Sequence, residues 1–262
     1  MLLKCQSCEN EWDYQGESKY YATCPNCHYK VKISEEGDQP KKEEYNISVL
    51  GGTGDLGEGI VKRAAAAGYK VIVGSRKYEK AQRLAEEYRE GLESSGINGF
   101  TVDGDVNQKA AEKSEIVIVT IPYKYASSTV ESMDLDEKIV VSTIVPMKKE
   151  GDYFKYTPPE EGSAAEELQS NCNGKVVSAF QNVPAKLIAD LENEFNCDVI
   201  VCGDDEEAKE KVKEFVNDLS GLRSLDGGPL SHSSMVESET VKLLNLSLEN
   251  PMKHVYVVYK GE

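Results

Sequence analysis

The chain is poor in histidine and in positive charge, and it has no long apolar run. Its three histidines, His28, His232 and His254, stand apart from one another. No Ser-His-Asp set and no HExxH motif can be built from them, so hydrolysis by a protein nucleophile or a catalytic zinc finds no machinery. No stretch approaches the ~20 consecutive apolar residues that a bilayer-spanning helix needs. The start, Met1-Leu2-Leu3-Lys4 followed by Cys5, lacks the pattern of a signal peptide, and a cytoplasmic location is expected. Only 30 Lys and Arg stand against 46 Asp and Glu, a formal charge of −16. Such a surface repels nucleic acid and anionic membrane, so neither is expected as a main partner. An anionic ligand must then be held by local donors against an unfavourable long-range field. What is present suffices to fold. Of 262 residues, 39% are hydrophobic and 29% charged, which excludes general disorder and allows one large domain or two modest ones with a small appendage.

Seven cysteines need an account, and four of them fall in the first 27 residues. Disulfide scaffolds are short, secreted and cysteine-dense, and this chain is none of these. Cys5-Gln6-Ser7-Cys8 and Cys24-Pro25-Asn26-Cys27 are two CxxC knuckles with fifteen residues between them. Thiolates at that spacing can close a tetrahedron around Zn²⁺, so Cys5, Cys8, Cys24 and Cys27 are the expected ligands of a structural zinc ribbon. A segment this short builds no core, and zinc would supply its folding free energy, on the order of 10 kcal/mol. His28 is an alternative to Cys27 as a ligand. A redox role would instead place one CxxC at a strand–helix junction. Nucleic-acid contact is disfavoured by Glu9, Glu11, Asp13 and Glu17, while Trp12, Tyr14, Tyr20 and Tyr21 can pack the ribbon. The later Cys172, Cys197 and Cys202 read as small buried hydrophobes.

After the charged stretch EEGDQPKKEE at residues 35–44 the texture changes. Ile47 to Leu50 is a short apolar run ending in glycines. Leu56 to Ala67 predicts a helix closed by Gly68, and Lys70 to Val73 a second strand. Ala81, Leu84, Ala85 and Tyr88 recur at helical spacing. Ile116 to Ile121 and Ile139 to Val141 are continuous apolar runs of the kind covered on both faces. Val176 to Phe180, Val199 to Val201 and Leu222 to Leu225 predict later strands. Asp204-Asp205 caps a helix carrying Val212, Phe215, Val216 and Leu219. Val236 to Leu248 predicts a last helix and Val255 to Tyr259 a final strand. Strands alternating with helices imply an α/β fold with a mostly parallel sheet between helices.

Gly52-Thr53-Gly54-Asp55-Leu56-Gly57 is a G-x-G-x-x-G turn, and here it follows a strand and opens a helix. That is the context of a Rossmann-type dinucleotide site: Gly52 for the tight turn, Gly54 for approach of the pyrophosphate, Gly57 for close helix–strand packing. Sites for NAD place an acidic residue about 20 residues on, at the end of the second strand. This chain has Gly74-Ser75-Arg76-Lys77 there, and Lys80 one helical turn beyond. Arg76 can fork onto a 2′-phosphate, Ser75 adds a hydroxyl and Lys80 a second charge, so NADP is expected rather than NAD. Thr120-Ile121-Pro122-Tyr123 and Ser142-Thr143-Ile144-Val145-Pro146 leave two strands at the end where ligands bind in such sheets. They either line the nicotinamide cleft or are plain strand ends stopped by proline.

From about Asn46 to Tyr259 the chain resembles the NADPH-dependent deazaflavin reductases, the coenzyme F420:NADP oxidoreductases. The resemblance rests on ISVLGGTGDLGEGI at Ile47 to Ile60, VIVGSRKYEKA at Val71 to Ala81, VTIPYKYA at Val119 to Ala126 and KIVVSTIVP at Lys138 to Pro146. It continues through SAAEEL at Ser163 to Leu168, VVSAFQNVPA at Val176 to Ala185, VCGDDEEAK at Val201 to Lys209 and GLRSLDGGPLSHSSMVES at Gly221 to Ser238. It implies hydride transfer between NADP(H) and the 8-hydroxy-5-deazaflavin F420. It implies NADP contacts from Thr53, Gly54, Asp55, Leu56, Ser75, Arg76 and Lys80, and contacts near the nicotinamide from Tyr123, Ser127, Val145 and Ala185. The deazaflavin would lie near Asn182, Pro184 and the Gly228-Pro229-Leu230 turn. Lys148, Lys149, Lys186 and Arg223 are candidates for its acidic tail. Family members often carry His where this chain has Gln181, which keeps a donor and an acceptor but no titrating proton.

The expected layout is a zinc ribbon at 1–34, a linker at 35–45, an NADP-binding Rossmann domain at 46–178, and a C-terminal part at 179–262 covering the deazaflavin cleft. No acid or base is assigned, because hydride transfer between two bound rings asks the protein for placement alone. Glu237 reads as a solvated or capping charge. A homo-oligomer is expected, with a protein partner for the ribbon. The competing functions are an NADPH-dependent reductase of another acceptor, a ferric chelate or an imine, and a non-catalytic NADP sensor signalling through the ribbon.

Overall fold

Alternate residues of the apolar runs fall into two separate hydrophobic clusters, as the two-residue period of a strand requires. Ile47, Val49, Val71, Val73, Ile116, Ile118 and Val141 belong to one, with Ile60, Tyr88, Leu92 and Phe215. Leu50, Ile72, Val117, Val119 and Val140 belong to the other, with Ala126, Val130, Ala164 and Leu168. A sheet that buries both faces in this way must carry helices on both, and it does.

The computed structural model describes residues 2–5, 8–15, 21–26, 30–32, 45–192 and 195–260, and the chain divides into two compact units, Met1–Glu44 and Tyr45–Glu262. In the first unit, β1 (Leu2–Lys4) pairs antiparallel with β2 (Glu11–Asp13), and β3 (Tyr21–Thr23) with β4 (Lys30–Lys32). Cys5, Cys24 and Val31 form its small buried centre, with Cys8 and Trp12 packed against them. Cys27, His28 and Tyr20 lie outside the described residues.

The second unit runs β5 (Asn46–Leu50), α1 (Asp55–Ala66), β6 (Lys70–Ser75), α2 (Tyr78–Ser94), β7 (Thr101–Val106), α3 (Asn107–Glu112), β8 (Ile116–Val119), α4 (Tyr123–Val130) and β9 (Ile139–Ser142). A hairpin follows, β10 (Met147–Glu150) and β11 (Tyr153–Tyr156), then α5 (Ala164–Ser170), β12 (Lys175–Ser178), α6 (Ala185–Ala189), β13 (Cys197–Gly203), α7 (Glu206–Asp218), β14 (Leu222–Gly228), a 3₁₀ turn at Leu230–His232, and α8 (Ser233–Glu249). The eight-stranded sheet has the order β14-β13-β12-β9-β8-β5-β6-β7. Pairing is parallel from β7 to β12, turns antiparallel at β12–β13, and is parallel again between β13 and β14. This is the expected doubly wound, mostly parallel α/β sheet.

The segment expected as a last strand, Val255 to Tyr259, is not one. It is fastened mainly by side chains instead. Tyr259 N donates to Asp198 Oδ2 at 2.5 Å, Arg223 donates to Tyr259 O at 2.7 Å, and one backbone bond joins Asp198 N to Val257 O at 3.3 Å. The run expected to Ile121 ends at Val119: Thr120 N makes the last ladder bond, to Leu50 O, and two residues on Pro122 has no donor to extend it. Among the described residues no helix is long and apolar enough to cross a membrane.

Candidate functional site

The turn after β5 is drawn tight by backbone bonds from Gly51 N to Gly74 O, Gly52 N to Val49 O and Gly54 N to Gly51 O. Two of its glycines are demanded by the chain itself. A Cβ at Gly52 would lie 2.8 Å from Val49 O, and one at Gly57 only 2.6 Å from Gly52 Cα. Gly54 differs, since a Cβ there would meet nothing nearer than Gly51 O at 3.9 Å. Its open side faces away from the protein, as a cradle for an approaching ligand requires. No side chain caps α1 at Gly54, so the first N–H groups of the helix keep their capacity to meet an anion. Tyr88 of α2 supports the turn from beneath, its hydroxyl donating to Gly52 O at 2.9 Å. Thr53 and Leu56 are half-buried and Asp55 is exposed.

β6 lies beside β5 and ends at the buried Ser75, whose Oγ accepts from Lys77 N at 3.4 Å. Arg76 and Lys80 follow in the open, and among the described residues neither forms an ion pair. With Lys77 between them, they make a short run of exposed cations in a chain with many more acids than bases. Asn107, at the start of α3, crowds the same strand end. Its Oδ1 is buried without a hydrogen-bond partner and stands 2.9 Å from where a Gly74 Cβ would be.

On the other side of β5, the ends of β8, β9 and β12 come in order. Gly51 and Gly57 abut Thr120 directly. Thr143 Oγ1 donates to Val119 O at 3.0 Å, and Ala179 N to Ser142 O at 3.0 Å, so these strand ends form one continuous ledge. Pro122 opens α4, which places Tyr123 first in that helix and Ser127 one turn on. Ser127 donates to Glu167 Oε1 of α5 at 3.1 Å. Burial, and then the Glu167 carboxylate, push the Tyr123 phenol up to about 12. Val145 is half-buried beyond β9, and Ala185 opens α6.

Helix α6 is clamped onto α1. A Cβ at Gly59 would come within 2.5 Å of Ile188 Cγ2, so only glycine permits this approach. The buried Arg63 of α1 donates to the carbonyl oxygens of Leu187, Ile188, Asp190 and Ser220, at 2.7 to 3.3 Å. Burial lowers its pKa to about 10, and it remains a cation near neutral pH. The helix that starts at the glycine turn therefore carries the helix that presents Ala185.

Several polar residues here carry no sequence motif. Gln181 is buried, its Nε2 donating to Ser142 O at 3.0 Å and Ser178 Oγ at 2.8 Å. Its Oε1, like Asn182 Oδ1, is buried without a partner. Both follow Phe180, which holds the left-handed φ of 73° although it is not glycine. Glu237 is fully buried, which corrects its reading as solvated; the capping reading holds, because it accepts from Ala164 N and Ala165 N at the start of α5. Arg223 is also corrected, since it forks onto Asp198 with two bonds of 2.6 Å and cannot serve an anionic tail. Lys148 pairs with Glu150 at 2.9 Å. Cys197 and Cys202 are buried, and burial raises their thiols to about 12 and about 11; Cys172 is half-buried.

In the small unit, the sulfur atoms of Cys5, Cys8 and Cys24 lie within 4.8 Å of one another. Amide groups face two of them, Asn26 Nδ2 at 3.4 Å from Cys8 Sγ and Asn10 Nδ2 at 3.8 Å from Cys24 Sγ. The first knuckle is a tight turn in which Cys5 N bonds Asn10 O and Glu9 N bonds Cys5 O.

The family described as NADP oxidoreductase, coenzyme F420-dependent, matches residues 46–146. An "F420-dependent NADP reductase" of Methanocaldococcus jannaschii is 41% identical over 212 residues, covering 79% of this chain and 94% of the relative. A protein of the same description from Methanothermobacter thermautotrophicus is 32% identical over 215 residues, covering 79% and 91%. A solved structure from Arthrobacter sp. FB24 shares the fold with a TM-score of 0.61 at 20% identity, over 76% of this chain and 92% of that one. By these matches the chain belongs to the coenzyme F420-dependent NADP oxidoreductase family.

Proposed function

We propose that the chain moves a hydride, in either direction, between NADP(H) and coenzyme F420. The observation that carries this reading is the pairing, at one strand end, of an open uncapped glycine turn with two exposed cations that form no ion pair among the described residues. Gly52, Thr53, Gly54, Asp55, Leu56 and Gly57 form the phosphate cradle. Ser75, Arg76 and Lys80 hold the 2′-phosphate, by a hydroxyl and two charges suited to a dianion. Tyr123, Ser127, Val145 and Ala185 form the wall near the nicotinamide. The orphaned acceptors Gln181 Oε1 and Asn182 Oδ1 fit a heterocycle that brings N–H or O–H donors, as a deazaflavin does, and Gln181 fills this role without titrating.

When bound, the two coenzymes supply the chemistry themselves, as hydride donor and acceptor. The protein's part is to hold donor and acceptor carbons about 3–3.5 Å apart and to exclude water. No side chain is asked to carry a proton, in keeping with the raised pKa of Tyr123 and the interior position of Gln181. The small unit holds Zn²⁺ through Cys5, Cys8 and Cys24, with Cys27 as the fourth ligand. Three converging thiols with amide donors at their sulfurs support that reading. The metal is structural. Thiols that stay reduced suit a cytoplasmic location.

The test mixes purified protein with NADPH and oxidised F420 and follows the loss of deazaflavin absorbance. Turnover with NADPH, and much slower turnover with NADH, is the expected result. Reduction of ferric chelates or imines without reduction of F420 would favour the other-acceptor reductase, and tight NADPH binding without any turnover would favour the sensor.

A further inference from the structure

Helix α8 is tied by polar contacts both to the turn after β12 and to strand β11 of the hairpin. Thr240 Oγ1 donates to Gln181 O at 2.8 Å and so grips the turn that follows β12. Asn245 clasps β11 from the other side, accepting from Phe154 N and donating to Phe154 O, each at 2.8 Å. One turn before Thr240 on the same helix stands Glu237, fully buried. Its Oε2 accepts from Tyr156 Oη at 2.8 Å and from Ala164 N at 3.1 Å, and its Oε1 accepts from Ala165 N at 3.2 Å. Among the described residues no lysine or arginine pairs with it.

A carboxylate placed this way carries a heavy desolvation cost, and a structural helix cap alone does not call for it. Helix α5 already has a cap of its own, since Ser163 Oγ accepts from Glu166 N at 3.1 Å and donates to Glu166 Oε2 at 2.7 Å. Glu237 adds a fixed link to a neighbouring element. One turn further along α5, Glu167 accepts from Ser127 and adjoins Tyr123, so the position of α5 sets the position of both.

We propose that Glu237 is a positioning residue for hydride transfer: it pins the start of α5 to α8 and β11, and through Glu167 it fixes Ser127 and Tyr123 at the nicotinamide end of the cofactor. This rests on the reading of that wall given under the proposed function. Glu237 touches no reacting atom. Its effect belongs to the ring half of the dinucleotide and leaves the phosphate half alone.

The test compares the binding of NADPH with that of 2′,5′-ADP, which keeps the 2′-phosphate and lacks the nicotinamide. In Glu237→Gln the affinity for NADPH should fall about tenfold while that for 2′,5′-ADP stays within about twofold, and kcat should fall more than the KM for F420 rises. Glu167→Gln breaks the same path one link nearer the cofactor and leaves the α5 start intact. It should give the same split, and the double variant should be no worse than the weaker single one. If Glu237→Gln does not fold, Tyr156→Phe, which removes one of the bonds that hold Glu237, decides: the same split in smaller measure supports the proposal and an unsplit loss or no loss overturns it. Equal losses for both ligands, or no loss for either, overturn the proposal. Failure of the wild-type protein to bind either ligand would instead overturn the reading of the site.

Discussion

The two ends of the cofactor cleft proposed above are built from different materials. The phosphate end is mostly backbone, a glycine turn and the bare start of α1, with the exposed Arg76 and Lys80 side chains beside it. The ring end is side chain: Glu167 and Ser127, Gln181 with its orphaned Oε1, and Glu237 buried behind them. Backbone recognition needs particular residues at fixed spacing in one short stretch. The ring end is assembled from α4, α5, α6 and α8, which are distant in sequence, so its contacts are specific to the fold and carry no motif.

Substitutions can break this contrast in order of expected size. The largest effect belongs to Gly57→Ala, because the new Cβ would meet Gly52 Cα at 2.6 Å and the turn must open. NADPH affinity should fall by about three decades (~4 kcal/mol) with a lowered Tm, as titration and thermal melting would show. At the ring end, burial raises the Glu237 carboxyl to about 7, against the bonds from Ala164 N, Tyr156 and Ala165 N, with Glu166 adding to the rise. The folded pKa exceeds the unfolded one, so the associated stability is present below about pH 4.5 and is lost as pH rises through 7. Urea unfolding should therefore show Glu237→Gln gaining about 3 kcal/mol on the wild type in total, most of it between pH 5 and 7. A constant difference across that range would mean that the carboxyl titrates normally.

Arg76→Asp replaces an unpaired cation with a repelling charge. NADPH should bind roughly two decades more weakly, while NADH binding changes little. Equal weakening of both would place the 2′-phosphate elsewhere. Gly54→Ala is the counterpart of Gly57→Ala. Its φ of −104° suits alanine and its Cβ meets only Gly51 O at 3.9 Å, so Tm should hold. The methyl would occupy ligand space, and NADPH affinity should drop about tenfold. The smallest effect on catalysis is expected from the first unit. If it holds Zn²⁺ as proposed, chelation should abolish its ordered circular-dichroism signal, since four short strands do not replace a thiolate-bound ion. Hydride transfer should continue at the same rate.

Legibility in the sequence followed the same division. The strands with continuous apolar runs, the helix closed by Gly68, the glycine turn and the Arg76 substitution for an acidic residue were all readable from short stretches. The CxxC spacing also pointed to the convergence of Cys5, Cys8 and Cys24, while Cys27 lies outside the described residues. Glu237 was not, because its burial depends on Tyr156 and on the start of α5, some 70 to 80 residues away in the chain. Nor was the clamp of Arg63 on α6, whose acceptors lie more than 120 residues downstream. The misread strand at Val255 to Tyr259 has the β-branched and aromatic run of a strand, but Asp198 and Arg223 hold it by side chains, which composition does not register.

Direct passage of hydride between two rings held in this cleft is tested most plainly by isotope. NADPH dideuterated at nicotinamide C4 is incubated with the protein and oxidised F420 in ordinary water, and the reduced deazaflavin is analysed by mass spectrometry and NMR. Deuterium retained on the deazaflavin ring in a one-to-one ratio with NADPH consumed is the predicted result. Hydrogen from the solvent at that position would contradict direct transfer.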